Sequence, residues 1–288
     1  MNEQAYKARP WILLSPALAV VAFLLAVPVV FIIVYSFWLR SAAGAEIPGF
    51  YLHNWAEVFS DAFYRDILFS TLRIAAITTV FCALLGYVPA YFVAVSQTQF
   101  KTLLLLLLIL PFWISYIIRT MSWINILGAS GALNRTLIFF GLIAEPVQFL
   151  YNEWAVILGL VHFLLPFMVL NVFVSIDGID RNLLDASRSL GASDFQSFRE
   201  VTLPLSLPGL AAGGLLCFVL SAGTYITPLI LGGPRDAMFA NLVFEAIITQ
   251  LNWPLGSALS IVLLVVLGSI VAVYNRLAGL GQFAKSFA

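Results

Sequence analysis

The chain has 288 residues, of which 62% are hydrophobic and only 10% charged. Soluble domains carry about 25% charged residues, so the composition excludes that class and points to a protein whose solvent is lipid. The formal net charge is zero, which offers no footing for nucleic acid.

A membrane-crossing helix needs about 20 mostly apolar residues. Six stretches supply them: 11–37, 69–95, 103–127, 154–176, 209–231 and 256–274. The expected fold is all-α, a bundle of six transmembrane helices forming a single membrane domain over residues 1–288. The first stretch follows Lys7 and Arg9 and precedes Ala43-Gly44-Ala45, a pattern that resembles a secretory leader. Leaders carry only about 7–15 apolar residues, so this longer run reads as an anchor that stays. Arg73 falls near the start of the second stretch and Arg119 within the third. Cys82 and Cys217 lie in apolar runs without metal or redox spacing and read as buried thiols. Pro28, Pro89, Pro111, Pro166 and Pro228 sit inside the spans. Each removes a backbone donor and tends to kink its helix. The kinks serve either ordinary bundle geometry or a path between helices.

Six spans place both termini on one face, and charge selects which. With the termini in the cytoplasm, the inner set is Lys7, Arg9, Lys101, Arg181, Arg188, Arg199, Arg276 and Lys285. The outer set is Arg40, Arg65, Arg135 and Arg235. Eight against four obeys the positive-inside rule. The outer loops, 38–68 and 128–153, bring Tyr51, Trp55 and the adjoining Trp154 to an interfacial belt. Within the second loop, GALNRTLIFFGLI predicts a short helix along the outer face.

What the chain lacks narrows its chemistry. None of its three lysines follows a G-x-x-x-x-G-K-[ST] phosphate loop. There is no H-E-x-x-H, His53 and His162 are far apart, and no G-x-S-x-G elbow occurs, so neither a catalytic constellation nor a metal site is expected. An intramembrane hydrolase would lack its machinery. The central thirds of the spans hold no Asp or Glu, which removes the ionisable relay of a secondary transporter. Arg119 is the one deep charge. At a helix centre it costs roughly 2.5–3.5 kcal/mol on insertion scales, so it must face the bundle interior, water or a partner subunit. It either closes an ion pair or carbonyl clamp, or lines a translocation path. His162 either donates to a carbonyl in the bundle or faces a cavity.

One long polar island remains, residues 182–208, NLLDASRSLGASDFQSFREVTLPLSLP, holding Asp185, Arg188, Asp194, Arg199 and Glu200. It reads as two short helices. Asn182 caps the first, with Asp185 three residues on. Leu183, Leu184 and Leu190 are its apolar positions, and Leu183 and Leu190 share a face. Gly191 ends it. Ser193 and Gln196 form a capping box that starts the second, whose first turn holds Asp194. Pro204 and Pro208 are expected to stop it and launch the fifth span. The residues alone leave two readings open, an amphipathic interfacial loop or a docking element for a cytoplasmic partner.

Asp185-Ala186-Ser187, three residues, Gly191-Ala192, and then Val201 and Leu203-Pro204 resemble the EAA motif of ABC importer permeases, E-A-A, three residues, G, nine residues, I-x-L-P. The spacing is kept, with Asp185 in place of Glu and Ser187 in place of the second Ala. LPFWISYIIRTMSWINILGASGALN, ILGLVHFLLPFMVLNVFVSIDGID and SAGTYITPLILGGP are similar to permeases of spermidine/putrescine importers, a likeness reaching over about residues 60–275. Importers of opines, amino-acid-like solutes and iron share this branch. The resemblance implies a MetI-like bundle in a bacterial inner membrane. Its coupling loop, 177–207, would seat Asp185, Ala186, Ser187, Gly191, Ala192, Val201, Leu203 and Pro204 in a groove of a cytoplasmic P-loop ATPase dimer. It also implies a second permease, copy or homologue, and a periplasmic or extracellular substrate-binding protein. ATP and magnesium would belong to the ATPase, leaving this chain without cofactor. A polyamine cargo would be held by carboxylates and aromatic rings; Glu245, Tyr225, Trp253 and Trp113 are candidates, and Arg119 is a further candidate for the path. Each of the four also reads as a belt or packing residue. A secondary transporter or channel, needing no ATPase, is the reading from another class.

Overall fold

Backbone in lipid must satisfy its own hydrogen bonds, so the apolar stretches have to fold as helices. The structure, a computed structural model, describes residues 3–41, 44–96 and 99–277, with side chains between 14 and 276. Lys285, Ala43 and the side chains of Lys7 and Arg9 lie outside the described residues. Five described helices are long and apolar enough to cross a membrane, and a further pair, bent by 90°, makes up to six crossings. The chain forms two units, residues 1–62 with 242–264, and residues 63–241 with 265–288.

In the first unit, α1 (Glu3–Tyr35) contains the span Leu14–Tyr35, in which no residue is buried, so that it presents an apolar face all round. A two-residue hairpin, β1 (Leu39–Arg40) against β2 (Glu46–Ile47), and α2 (His53–Ser60) follow. The buried Asn54 folds this segment back by donating to the carbonyls of Ser36 at 3.0 Å and Trp38 at 2.8 Å. Trp55 packs on Phe37, at 5.9 Å between ring centres, and on Phe59. Residues 242–249 form the rest of α12 (Phe239–Phe244) and the π turn Glu245–Thr249 that prolongs it. This apolar helix, too short to span, was not expected from the sequence. Leu251, at φ +53°, reverses the chain into α13 (Trp253–Leu277). At Gly256 a Cβ would stand 2.3 Å from Ile247 Cγ1, so the two helices cross where only glycine fits.

In the second unit the order is α3 (Ala62–Val95), α4 (Lys101–Ile109), α5 (Tyr116–Leu127), α6 (Ala132–Phe139), α7 (Glu153–Asp177), α8 (Arg181–Ser189), α9 (Asp194–Ser197), α10 (Leu203–Ala222) and α11 (Ile226–Leu231). The core runs along α7. Val156, Leu160, Leu164, Met168 and Val172, four residues apart, have no exposed surface. α10 lies along α7 through Gly209 and Gly213, a small-residue contact at i, i+4 of the kind membrane helices use for close approach. A Cβ at Gly209 would sit 2.6 Å from the Asn171 carbonyl oxygen, and one at Gly213 would sit 3.0 Å from Met168 Sδ. Gly86 of α3 meets the other side of Met168. The thiols of Cys82 and Cys217 are buried and free, donating weakly to the carbonyls of Val161 and Leu164. Ion pairs staple both ends of α7: Glu153 with Arg73 of α3, and Asp177 with Lys101 of α4.

Two expected spans differ from the structure. The third is broken. After α4 the chain takes a 3-10 turn, Leu110–Trp113, containing Pro111, and passes Ile114 and Ser115 in extended conformation before α5. The fifth ends at Ala222, capped by Gly223, and α11 is a separate helix. Here the hydroxyls of Thr224 and Thr227 are bound by Tyr116 Oη of α5, which holds the break open. Pro89 and Pro166, by contrast, lie within continuous helices. The short helix expected in the second outer loop is α6.

Replacing Gly209 by leucine forces atoms into the α7 backbone. Overpacking costs about 1–3 kcal/mol, so Gly209→Leu is expected to lower the thermal unfolding temperature of the detergent-solubilised protein. Gly268→Leu, where a Cβ meets nothing within 4 Å, is expected to leave it unchanged.

Candidate functional site

The polar island opens two residues earlier in the chain than its caps suggested. Asp180, not Asn182, is the N-cap of α8, and its carboxylate accepts from Asn182 N at 2.9 Å. Both residue types cap well, but Asp180 has the extended backbone that a cap requires and Asn182 lies within the first turn. The other end matches expectation. Gly191 takes φ +86°, its N–H bonds the Arg188 carbonyl at 2.9 Å and the Ala192 N–H bonds the Ser187 carbonyl at 3.1 Å. These two bonds make a Schellman closure, which needs a left-handed residue after the helix. Ser193 and Gln196 then exchange the two bonds of a capping box, 3.3 and 2.8 Å, at the start of α9.

The island is braced internally. Ser187 Oγ donates to the Leu184 carbonyl at 2.8 Å and lies 2.7 Å from Ser197 Oγ, so the Ser197 hydroxyl is the donor across the corner. Ser197 is buried, so a buried hydroxyl fixes α9 to α8. The serine that departs from the family motif at 187 provides this strut. Arg188 adds contacts to Asp194 at 3.3 Å and Asp185 at 3.8 Å, both exposed and worth about 0–1 kcal/mol each. Asp185 and Ala186 face solvent, and Leu190, Phe195 and Leu183 are exposed apolar side chains beside them.

The prolines do not stop the second helix. α9 continues through a π turn, Phe198–Thr202, into α10, giving one helical run from Asp194 to Ala222. Leu203 N–H reaches back five residues to the Phe198 carbonyl. The widened turn ends just before Pro204, where the ring would otherwise strike the preceding turn. Val201, Leu203 and Pro204 therefore lie along this run, with Val201 and Leu203 half-buried and Pro204 exposed. Phe198 wedges edge-on between Tyr87 and Tyr91 of α3, at 6.0 and 5.1 Å between ring centres. Tyr87 Oη bonds Ser206 Oγ of α10 at 2.8 Å. Phe198, Tyr87, Tyr91 and Ser197 were not singled out from the sequence. The i, i+4 pair of tyrosines at the end of a span was the available signal. A cavity of about 460 Å³ lies between the island and the ends of α3 and α7, bordered by Tyr91, Asp177, Arg181, Asp185 and Arg188.

The path candidates fall into groups. Trp113, on the 3-10 turn, is 84% exposed. Arg119, on α5, is only 8% exposed, with its guanidinium 5.4 Å from the Phe163 ring centre. Its Nε and Nη1 are buried and make no hydrogen bond, so the expected ion pair or carbonyl clamp is not formed among the described residues. His162 accepts from Trp123 Nε1 at 3.2 Å rather than donating to a carbonyl. Tyr225 precedes α11, and its carbonyl accepts from Asn241 Nδ2 at 2.8 Å. Tyr116, one turn before Arg119, bonds Thr224, the chain neighbour of Tyr225. Glu245 and Trp253 belong to the other unit, Glu245 exposed at the start of its π turn and Trp253 exposed at the start of α13.

Comparison with known proteins identifies the frame that holds these features. Residues 6–280 match the family model described as the binding-protein-dependent transport system inner membrane component. The spermidine/putrescine transport system permease protein PotB of Haemophilus influenzae is 35% identical over 254 residues, covering 88% of each chain. PotB of Escherichia coli is 37% identical over 249 residues, covering 86% of this chain and 90% of that one. Among solved structures, a bacterial alginate ABC transporter in complex with alginate pentasaccharide-bound periplasmic protein has a chain that superposes with a TM-score of 0.75 at 18% identity, covering 96% and 97% of the two chains. That likeness concerns the fold. The chain belongs to the inner membrane components of binding-protein-dependent transport systems, as the non-catalytic permease subunit of an ABC importer.

Proposed function

We propose that this permease moves a polyamine, spermidine or putrescine, inward, and that the island at 181–202 is where a cytoplasmic ATPase dimer drives it. The observation that carries the coupling role is the continuous helical run from Asp194 to Ala222, rooted in a doubly capped, internally braced island. At 1.5 Å per residue, its 29 residues make a lever about 43 Å long. The exposed Asp185, Ala186, Leu190 and Phe195 form the face offered to the ATPase, with Gly191 and Ala192 at the corner. Closure of the ATPase pair on ATP and magnesium pushes this face. The push enters α10 directly and α3 through Phe198 between Tyr87 and Tyr91. The bundle then rocks against a second permease, copy or homologue, between inward-open and outward-open states. In this arrangement both termini lie in the cytoplasm, and a substrate-binding protein delivers cargo from the other side.

The names of the relatives support the cargo, and the side chains are compatible with it. Glu245 is an exposed carboxylate on an apolar helix and makes no ion pair among the described residues. Aromatic neighbours of a cationic cargo contribute about 0.5–2 kcal/mol each, a role open to Tyr225, Trp253 and Trp113. Arg119 supports a second reading, since an unpaired buried guanidinium suits a cargo with an anionic group, such as an opine or amino-acid-like solute.

Three measurements check this. Purified Gly191→Val is expected to stay in the membrane, lose the co-purifying ATPase and lose transport. No atom lies within 4 Å of a Cβ there, so the cost is the left-handed backbone alone, and Gly191→Asn, which tolerates it, is expected to keep both. Phe198→Ala is expected to retain the ATPase but deliver several-fold less cargo per ATP hydrolysed; unchanged coupling would remove the wedge from the account. Glu245→Gln is expected to cut spermidine uptake about tenfold with assembly intact, and unchanged uptake would remove Glu245 from the path.

A further inference from the structure

A second cavity lies at the other end of α7. Its volume is about 770 Å³, and Asn125, Ser130, Arg135, Thr136, Gln148 and Tyr151 supply its polar side chains. Tyr151 precedes the first residue of α7 by two positions, whereas Asp177, its last, borders the island cavity. The 25 residues between them span about 37 Å, more than the roughly 30 Å of bilayer hydrocarbon. The two cavities therefore open on opposite faces of the membrane.

The walls of this cavity are built in advance. Asn134 is fully buried and spends both ends of its amide inside the wall. Its Nδ2 donates to the carbonyls of Gly128 at 3.0 Å and Val147 at 2.9 Å, and its Oδ1 accepts from Val147 N at 2.8 Å. These bonds tie the α5–α6 turn to the segment before α7. On the far side Tyr151 is held at φ +59°, its N–H bonding the Leu231 carbonyl at 2.9 Å. Within these walls Arg135 is exposed, and its guanidinium makes no ion pair or hydrogen bond among the described residues. No Asp or Glu lines the cavity. Its charge is thus the wrong sign to hold a polyamine and the right sign to hold a carboxylate, which a guanidinium fork binds through two parallel hydrogen bonds.

We infer that this cavity is a socket for an acidic side chain, Asp or Glu, on the permease-facing surface of the substrate-binding protein, with Arg135 as its counter-charge. The inference rests on the proposed placement of the island in the cytoplasm, which puts the socket on the side where the binding protein works. A rigid, open, singly charged socket gives that protein one fixed point of register on the permease. The neutral donors of Ser130 and Gln148 are available to complete the shell of the entering carboxylate, whereas the Thr136 hydroxyl is already spent on the Ala132 carbonyl at 2.8 Å.

The test uses the complete transporter with its ATPase, reconstituted in liposomes and titrated with its binding protein loaded with cargo. ATP hydrolysis is read relative to the basal rate of the same preparation. Arg135→Glu is expected to raise the binding-protein concentration for half-maximal stimulation at least tenfold, and Arg135→Lys only a few-fold. Lysine substitutions of acidic residues on the binding protein, made one at a time, should include one that restores the Arg135→Glu transporter. Coincident titration curves for Arg135 and Arg135→Glu would overturn the inference. So would a change in cargo dependence at saturating binding protein with the protein titration unmoved, since that marks a cargo subsite. Failure of an ATPase to co-purify with the unsubstituted chain would instead overturn the assembly on which the inference stands.

Discussion

The hydrogen bond from Leu203 N–H to the Phe198 carbonyl sets the character of this permease subunit. It widens one turn of helix directly before Pro204, and the helix runs on past Pro204 and through Pro208 without stopping. In a normal α turn the proline ring would crowd the preceding turn and kink the helix, and the push from the island would bend there. Instead the island and the span share one helix. The close approach of α10 to α7 at Gly209 and Gly213, and the ring of Phe198 held by Tyr87 and Tyr91, then connect that helix to the core. A surface loop becomes the end of a lever because one turn is widened by a single residue.

What could be read in advance was what local chemistry dictates. The first, second, fourth and sixth spans, the glycine closing α8 and the Ser193–Gln196 box all follow from chemistry close by in the chain, and all are present. The breaks were not legible. Hydropathy runs straight through Pro111–Ser115 and through Gly223–Tyr225, and what interrupts the helices there is a meeting of Tyr116 with Thr224 and Thr227 more than a hundred residues on. The Asn182 cap failed because two good capping residues stand two positions apart and the backbone leaving α7 chooses Asp180. Ser187 illustrates a different limit. Beside the family motif it reads as a mild departure, yet its meaning lies in Ser197, ten residues away across the corner.

Buried Arg119, exposed Glu245 and exposed Arg135 belong to the charges that make no ion pair among the described residues. Other charges do find partners within the chain, as at the two ends of α7. An uncompensated charge is costly in or near lipid, most of all at buried Arg119, and each of these three is open to a partner from outside the chain. Their signs differ, and so do the occupants they suit: a cation for Glu245, an anionic group for Arg119 and a protein carboxylate for Arg135.

The central claim, that island and span move as one body, is tested most directly by pulsed electron resonance distances in the assembled transporter. Spin labels at Ser189 of α8 and Leu216 of α10 report the island against its lever, and labels at Ser189 on each of the two permeases would report the stroke if the second permease is a copy. The account predicts that the first distance stays constant between nucleotide-free and ATP-bound states while the second changes. A Ser189–Leu216 distance that shifts with nucleotide would mean that the island swings on its corner, contradicting the account.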